Sequence, residues 1–181
     1  MKLSATAYVV MGMLRHEPRT GYEIKAVVDR STRFFWAASY GQIYPELRKL
    51  QEAGLVEGRS EPRGGRKRTV YTLTDAGREE LRRWLGEDVE VLEWRDEGLL
   101  KLFFSTVDPD RAEQIIAAKQ RLHEQKLAVL HEVEPKTIAS AAAGDPFPSL
   151  VLRYGVESSE WMIDWCERAR AELAAERSRS A

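Results

Sequence analysis

Apolar positions recur at helical spacing along most of this chain, with one interruption between residues 55 and 73. Ser4 precedes Tyr8, Val9, Val10, Met13 and Leu14 and predicts a capped helix that Pro18 ends. Thr20 caps a second helix, Gly21 to about Arg30, with Tyr22, Ile24, Val27 and Val28 near helical spacing. Residues 31–39 are aromatic without a period and predict a linker in which Phe34, Phe35 and Trp36 pack down. A third helix, Tyr40–Ala53, buries Ile43, Leu47 and Leu50 and stops at Gly54; Pro45 lies near its start, where a missing N–H does least harm. The interruption then reads as a hairpin. Leu55-Val56 opens a short strand, residues 61–67 form a turn with paired glycines, and Val70, Tyr71 and Leu73 return. Thr74 caps a fourth helix, Asp75–Leu85, with Leu81, Trp84 and Leu85 inward and Asp75, Glu79 and Glu80 near the end the helix dipole favours.

Beyond this the pattern is helical only. An acidic connector leads to a short helix, Glu97–Phe104, dense in leucine and phenylalanine. A long helix follows from Pro109 or Asp110 to about Val133, with Ala112, Ile115, Ile116, Leu122, Val129, Leu130 and Val133 on one stripe. Glu134-Pro135 predicts its end or a kink. Residues 138–144 are alanine-rich and fit a helical turn or a loop, and residues 145–148 are a break. The last helix spans about Ser149–Ala175, with Leu150, Tyr154, Trp161, Trp165 and Leu173 toward one side and a frayed tail after it.

Three helices, a hairpin and a helix are the order of a winged helix. The expected fold is therefore mostly α with a small β-hairpin. A winged helix-turn-helix occupies residues 1–86, a connector 87–96, and a helical dimerisation domain 97–181. Two long helices and a short one present more apolar surface than they bury between themselves, so a two-fold homodimer is expected; the alternative is a monomer whose helices fold back on the first half.

Composition narrows the chemistry. One cysteine, Cys166, among 181 residues excludes a disulfide framework and a multi-cysteine zinc site. No apolar run approaches the ~20 residues of a membrane span, and the N-terminus does not read as a signal peptide, so a cytoplasmic protein is expected. Charge is unevenly placed. Sixteen Lys and Arg face ten Asp and Glu through Leu85, and twelve face nineteen afterwards. A basic first half suits a polyanion. Its cations concentrate at Arg59, Arg63, Arg66, Lys67 and Arg68, in a turn whose glycines allow close approach to a phosphate backbone. Ser39, Tyr40, Gln42 and Tyr44 open the third helix, with Arg48 and Lys49 a turn later; hydroxyls suit phosphate oxygens and Gln42 suits adenine. The blander reading makes Tyr44 core and the basic turn a solvated loop.

The run from Ser39 to Val56, SYGQIYPELRKLQEAGLV, followed by Arg68 to Gly77, RTVYTLTDAG, strongly resembles the PadR family of bacterial transcriptional regulators. Gly21-Tyr22-Glu23 and Phe35-Trp36 look like that family too, and residues 97–104 resemble the start of the longer C-terminal domain of its first subfamily. The resemblance implies a dimeric winged-helix repressor on a palindromic double-stranded DNA operator, released by an effector. It also implies DNA-facing roles for Ser39, Tyr40, Gln42, Tyr44, Lys49, Arg63, Arg66, Lys67 and Arg68. A winged-helix protein-interaction module without DNA binding is the alternative function.

Trp161 and Trp165 share a helix face and, with Trp94, Phe103 and Phe104, make a candidate pocket for a small aromatic effector; plain core or dimer interface is the alternative. His123 and His131 lie eight apart, and no carboxylate or cysteine is spaced to complete a zinc site, so neither metal nor cofactor is expected. No nucleophile elbow, phosphate loop or His-Glu-x-x-His motif is present, which argues against an enzyme.

Overall fold

A computed structural model describes residues 3–63, 66–88 and 95–180 and divides the chain into two units, Met1–Val91 and Leu92–Ala181. In the first unit, the Ser4 hydroxyl accepts from the Ala7 N–H at 3.1 Å and caps α1, Ala5–Met13. A capping box opens α2, Gly21–Arg30: the Thr20 hydroxyl accepts from the Glu23 N–H, and the Glu23 carboxylate accepts from the Thr20 N–H at 2.7 Å. The helix α3, Tyr40–Glu52, buries Ile43, Leu47 and Leu50 completely against Val10, Met11, Ile24 and Val28. These residues form one core, closed from below by Val56, Tyr71 and Leu73 of the sheet.

The sheet has three strands in the order β1-β3-β2, all antiparallel. The hairpin is β2, Val56–Arg63, against β3, Arg66–Leu73, with Val56 opposite Leu73 and Arg63 opposite Arg66. Pro62 is tolerated because β2 is an edge strand. The added strand is β1, Arg19–Thr20, which pairs with Tyr71 and Val70; two residues are too few for an alternation to be read from sequence.

The helix α4, Asp75–Leu85, docks through its first turn. The Thr74 hydroxyl accepts from the Gly77 N–H at 3.0 Å and donates to the Gly54 carbonyl at 2.8 Å. A Cβ on Gly77 would come within 2.1 Å of the Leu55 carbonyl oxygen and 2.6 Å of a Leu73 methyl. Further along, Trp84 stacks on Tyr8 with centroids 4.5 Å apart and planes 9° from parallel, and the Tyr8 hydroxyl donates to Glu80 at 3.0 Å. Leu85, expected inward, is 70% exposed, because the Trp84 stack takes up the face that meets α1. Phe35 and Trp36 also stay outward, at 58% and 47% exposed. Their N–H groups both bond the Thr32 carbonyl in a tight 3₁₀ turn, Thr32–Phe34, which leaves the rings on the outer side of the linker.

The second unit contains α5, Glu97–Phe103, a 3₁₀ turn at Ser105–Val107, α6, Arg111–Ala142, and α7, Phe147–Ser180. Two expectations fail here. Pro135 does not end α6 near Val133; the helix runs on through it to Ala142. Proline costs that helix one hydrogen bond, and the alanine-rich segment after it restores good helix formers. The helix ends instead in a Schellman turn, with the Gly144 N–H on the Ala141 carbonyl, the Asp145 N–H on the Ser140 carbonyl and Gly144 at φ 96°. Nor does the tail fray: α7 reaches Ser180, and the Arg177 guanidinium donates to the Pro109 carbonyl at 3.2 Å.

The expected stripes are also rotated. On α7 the inward line is Leu152, Gly155, Ser159, Met162 and Cys166, while Leu150, Tyr154 and Trp161 are exposed and Trp165 and Leu173 are half-buried. Small residues win this line because they let the helices close; a Cβ on Gly155 would sit 3.2 Å from a Leu130 methyl. On α6 the inward line is Ala112, Ile116, Lys119 and Leu130, and Leu122 and Val129 are exposed. Lys119, only 6% exposed, donates to the Asp96 carboxylate, whose other oxygen caps α5 through the Leu99 N–H at 3.0 Å. No described helix is long and apolar enough to cross a membrane.

These joints can be tested in two ways. Gly77→Ala forces α4 off the hairpin and should cost about 1–3 kcal/mol in urea unfolding, the range for overpacking; a loss under ~0.5 kcal/mol would contradict the close approach. The second test concerns pH. Burial raises the Asp96 carboxyl, but the Lys119 ammonium and the Leu99 N–H outweigh it and hold it below the usual carboxylate range. A depressed folded value stabilises above the unfolded value of ~3.9 and is lost as pH falls through the folded one. Asp96→Asn should therefore be less stable than the parent at neutral pH, with the gap closing on acidification; a gap constant with pH would refute it.

Candidate nucleic-acid interface

The burial of Ile43, Leu47 and Leu50 fixes the rotation of α3 and turns Ser39, Tyr40, Gln42, Tyr44, Arg48 and Lys49 outward. Their chemistry differs from the sequence expectation in two places. The Gln42 amide oxygen accepts from the Ser39 N–H at 2.9 Å and from the Ser39 hydroxyl at 3.1 Å. In that cap both lone pairs of the oxygen are engaged, so pairing with adenine would require the cap to open; the Gln42 N–H groups remain available as donors. Lys49 donates to Glu46 at 3.0 Å, and Glu46 is itself buried.

Tyr44 is neither pure core nor fully free. Its ring lies on Gly21, where a Cβ would meet Tyr44 Cε1 at 2.6 Å, and its outer side remains exposed. Tyr40 stacks against Tyr44 with centroids 6.3 Å apart and a 23° tilt, and Tyr22 stacks on Tyr40 at 6.3 Å and 16°. The Lys25 ammonium lies 5.5 Å from the Tyr40 centroid. This row of three phenols joins α2 to the start of α3. Sequence reasoning singled out Tyr40 and Tyr44 and missed Tyr22 and Lys25, which come together only when α2 packs beside α3.

In the hairpin, Arg68 donates through Nε at 3.1 Å and Nη2 at 2.7 Å to one Glu61 oxygen across the strands, so its charge is already partnered. Arg63, Arg66 and Lys67 stand at the paired tip by backbone register; their side chains, like the whole of Gly64 and Gly65, lie outside the described residues.

The aromatic set of the second unit is less gathered than expected. Phe103 and Phe104 meet edge to face at 5.1 Å and 89°. Phe104 borders an apolar hollow of ≈370 Å³ with Leu100, Val107 and Ile115, and Phe103, Trp161 and Trp165 are not on it. Trp94 lies outside the described residues. Burial, then the charges of Lys119 and Lys126, push the His123 imidazole down, and burial pushes the Cys166 thiol up, which makes it a poor nucleophile. Among the described residues no group of three or more His, Cys, Asp or Glu is placed to hold a metal ion.

Comparison with known proteins bears on both units. Residues 10–83 match the transcriptional regulator PadR-like family, and residues 94–174 match the family described as virulence activator alpha C-term. The negative transcriptional regulator PadR of Bacillus subtilis is 32% identical over 168 residues, covering 88% of this chain and 92% of the relative. The crystal structure of B. subtilis PadR in complex with operator DNA is similar with a TM-score of 0.85 and 29% identity, over 96% of this chain and 99% of that one. The same protein in complex with p-coumaric acid is similar with a TM-score of 0.75, again at 29% identity and over 96% and 99% of the two chains.

The cap at the start of α3 is separable from the hydrophobic anchoring of that helix. Gln42→Ala frees the Ser39 N–H to water and should cost roughly 0.5–1 kcal/mol of stability, within the range for removed caps. Equilibrium unfolding with no change from the parent would show that the cap contributes nothing.

Proposed function

The chain belongs to the PadR-like family of transcriptional regulators, and we propose that it is a homodimeric repressor whose α3 enters the major groove of a palindromic operator while the hairpin tip grips phosphate. It is a DNA-binding transcriptional regulator. The observation that carries the reading is the likeness to B. subtilis PadR in complex with operator DNA, which extends over 96% of this chain at a TM-score of 0.85. The local chemistry agrees. Ser39, Tyr40, Gln42 and Tyr44 crowd the first turns of α3, the end that meets base edges in helix-turn-helix proteins. Arg63, Arg66 and Lys67 supply cations for the backbone, and Lys49 and Arg68 add to them only by exchanging Glu46 and Glu61 for phosphate.

A second copy is supported by the apolar surface of the second unit. Leu100, Phe103, Val107, Leu122, Tyr154 and Trp161 are all exposed in the single chain, an apolar set that a second chain would cover. Two-fold symmetry then matches a palindromic site. A small aromatic effector is supported by the p-coumaric acid complex of the B. subtilis protein and by the apolar hollow that Phe104 borders. Such a ligand acts by binding one dimer geometry better than the other. We read no catalytic role, and we place the protein in the cytoplasm with its DNA.

Genomic fragments selected on the pure protein should share a palindromic sequence. A duplex carrying it should bind two chains more tightly than a scrambled control, with affinity falling steeply as salt rises. Fragments with no shared sequence, together with partner binding insensitive to salt, would favour a protein-interaction module. Within the DNA reading, the double variant Arg66→Ala with Lys67→Ala should weaken binding to operator and scrambled duplex alike. It should also reduce the salt slope by about 0.9 for each phosphate that is no longer neutralised. A slope equal to the parent's would remove the hairpin tip from the interface.

A further inference from the structure

We propose that Tyr22 is a DNA phosphate contact and that Lys25, despite its charge, is a positioning residue that holds the tyrosine row and touches no phosphate. The proposal rests on the DNA-binding reading above and assigns residues that reading does not use. Tyr22 is 67% exposed, yet its ring is not loose: it stacks on Tyr40, which stacks on Tyr44. Tyr44 in turn lies on the Gly21 backbone, with no room for a side chain beneath it. Three phenols are thus lined up across α2 and α3 by packing, before any ligand arrives. In a helix-turn-helix the first helix of the pair crosses the sugar–phosphate backbone while the second enters the groove. The outer end of the row, on α2, therefore meets phosphate, and the phenol O–H is the donor offered to it.

Lys25, whose ammonium lies over the Tyr40 ring, is the obvious rival for that contact. Its surroundings point the other way. Its side chain is only 17% exposed, its ammonium donates to Asp29 one turn along α2, and it sits 5.5 Å from the Tyr40 ring centroid. A charge already shared between a carboxylate and a π face holds Tyr40 in place. The distinction is measurable because phosphate contacts by cations release counterions and contacts by neutral phenols do not.

The test is a fluorescence-anisotropy titration of the full chain against the selected operator and a scrambled duplex at several salt concentrations. Thermal melting confirms that each variant is folded. Tyr22→Phe should bind both duplexes roughly tenfold more weakly, as expected for one hydrogen bond to a charged group, with the salt slope of the parent. Lys25→Met should also bind more weakly at unchanged slope, and Lys25→Arg, which keeps the charge and the ring contact, should recover the parent's affinity. Tyr22→Phe binding like the parent would overturn the contact. A slope reduced by about 0.9 in Lys25→Met would make Lys25 itself the phosphate ligand and overturn its positioning role. A parent that selects no operator would overturn the DNA reading, a result separate from either of these.

Discussion

The inward face of α3 is the constraint on which the first unit depends. Ile43, Leu47 and Leu50 lie four and three residues apart and are fully buried against α1, α2 and the base of the hairpin. Truncating any one of them would open a cavity of the kind that costs about 2–5 kcal/mol. Because that face has no freedom, the opposite face has none either. Ser39, Tyr40, Gln42 and Tyr44 are exposed as a geometric consequence of packing elsewhere, so the candidate interface is positioned by apolar contacts on the opposite face of the helix. The same core sets the hairpin, since Val56, Tyr71 and Leu73 complete it from β2 and β3.

The second unit solves a different problem. Its helices are long, and their shared line carries Gly155, Ser159 and Lys119 among the apolar residues. Small residues bring the backbones close, and the buried Lys119 is satisfied by Asp96 at the head of α5. A buried ion pair is weak evidence for stability, since desolvation offsets most of its attraction. Its contribution here is register. Asp96 is at once the cap of α5 and the acceptor for a residue on α6, so it ties the start of one helix to a fixed position on the other. The larger aromatic and leucine side chains, excluded from the seam, are left on the outside.

This division explains what was legible in the sequence. The first unit could be read almost element by element because its helices are short, punctuated by Thr20, Gly54 and Thr74, and buried on one side. Local signals and tertiary burial agree there, and the family motif from Ser39 to Val56 falls on α3 and its turn. What was missed depends on neighbours distant in sequence. The strand β1 exists only because β3 offers it an edge, and Tyr22 gains a role only beside Tyr40. In the second unit a hydropathy stripe ranks Tyr154 and Trp161 above Gly155 and Ser159, whereas close packing ranks them in reverse. Pro135 read as an end or a kink because its local cost is real; the helix continues through it to Ala142, with α7 packed along it on both sides of the proline.

The ion pairs on the outward side of the first unit change how its positive charge should be counted. Sixteen basic residues against ten acidic ones through Leu85 suggest a strong general attraction to polyanions. Yet Lys25 is engaged by Asp29, Lys49 by Glu46 and Arg68 by Glu61. Each of these would have to exchange a carboxylate for a phosphate before it added to affinity, and the acid left behind would repel the backbone it faces. A surface built this way binds arbitrary DNA less well than its composition implies. Under the proposed function that is an advantage, because weak non-specific binding widens the margin by which a correct operator is preferred among very many competing sites. The paired cations then act mainly on orientation, the hairpin tip carries most of the salt-sensitive affinity, and neutral donors on α2 and α3 fix the register in which bases are read.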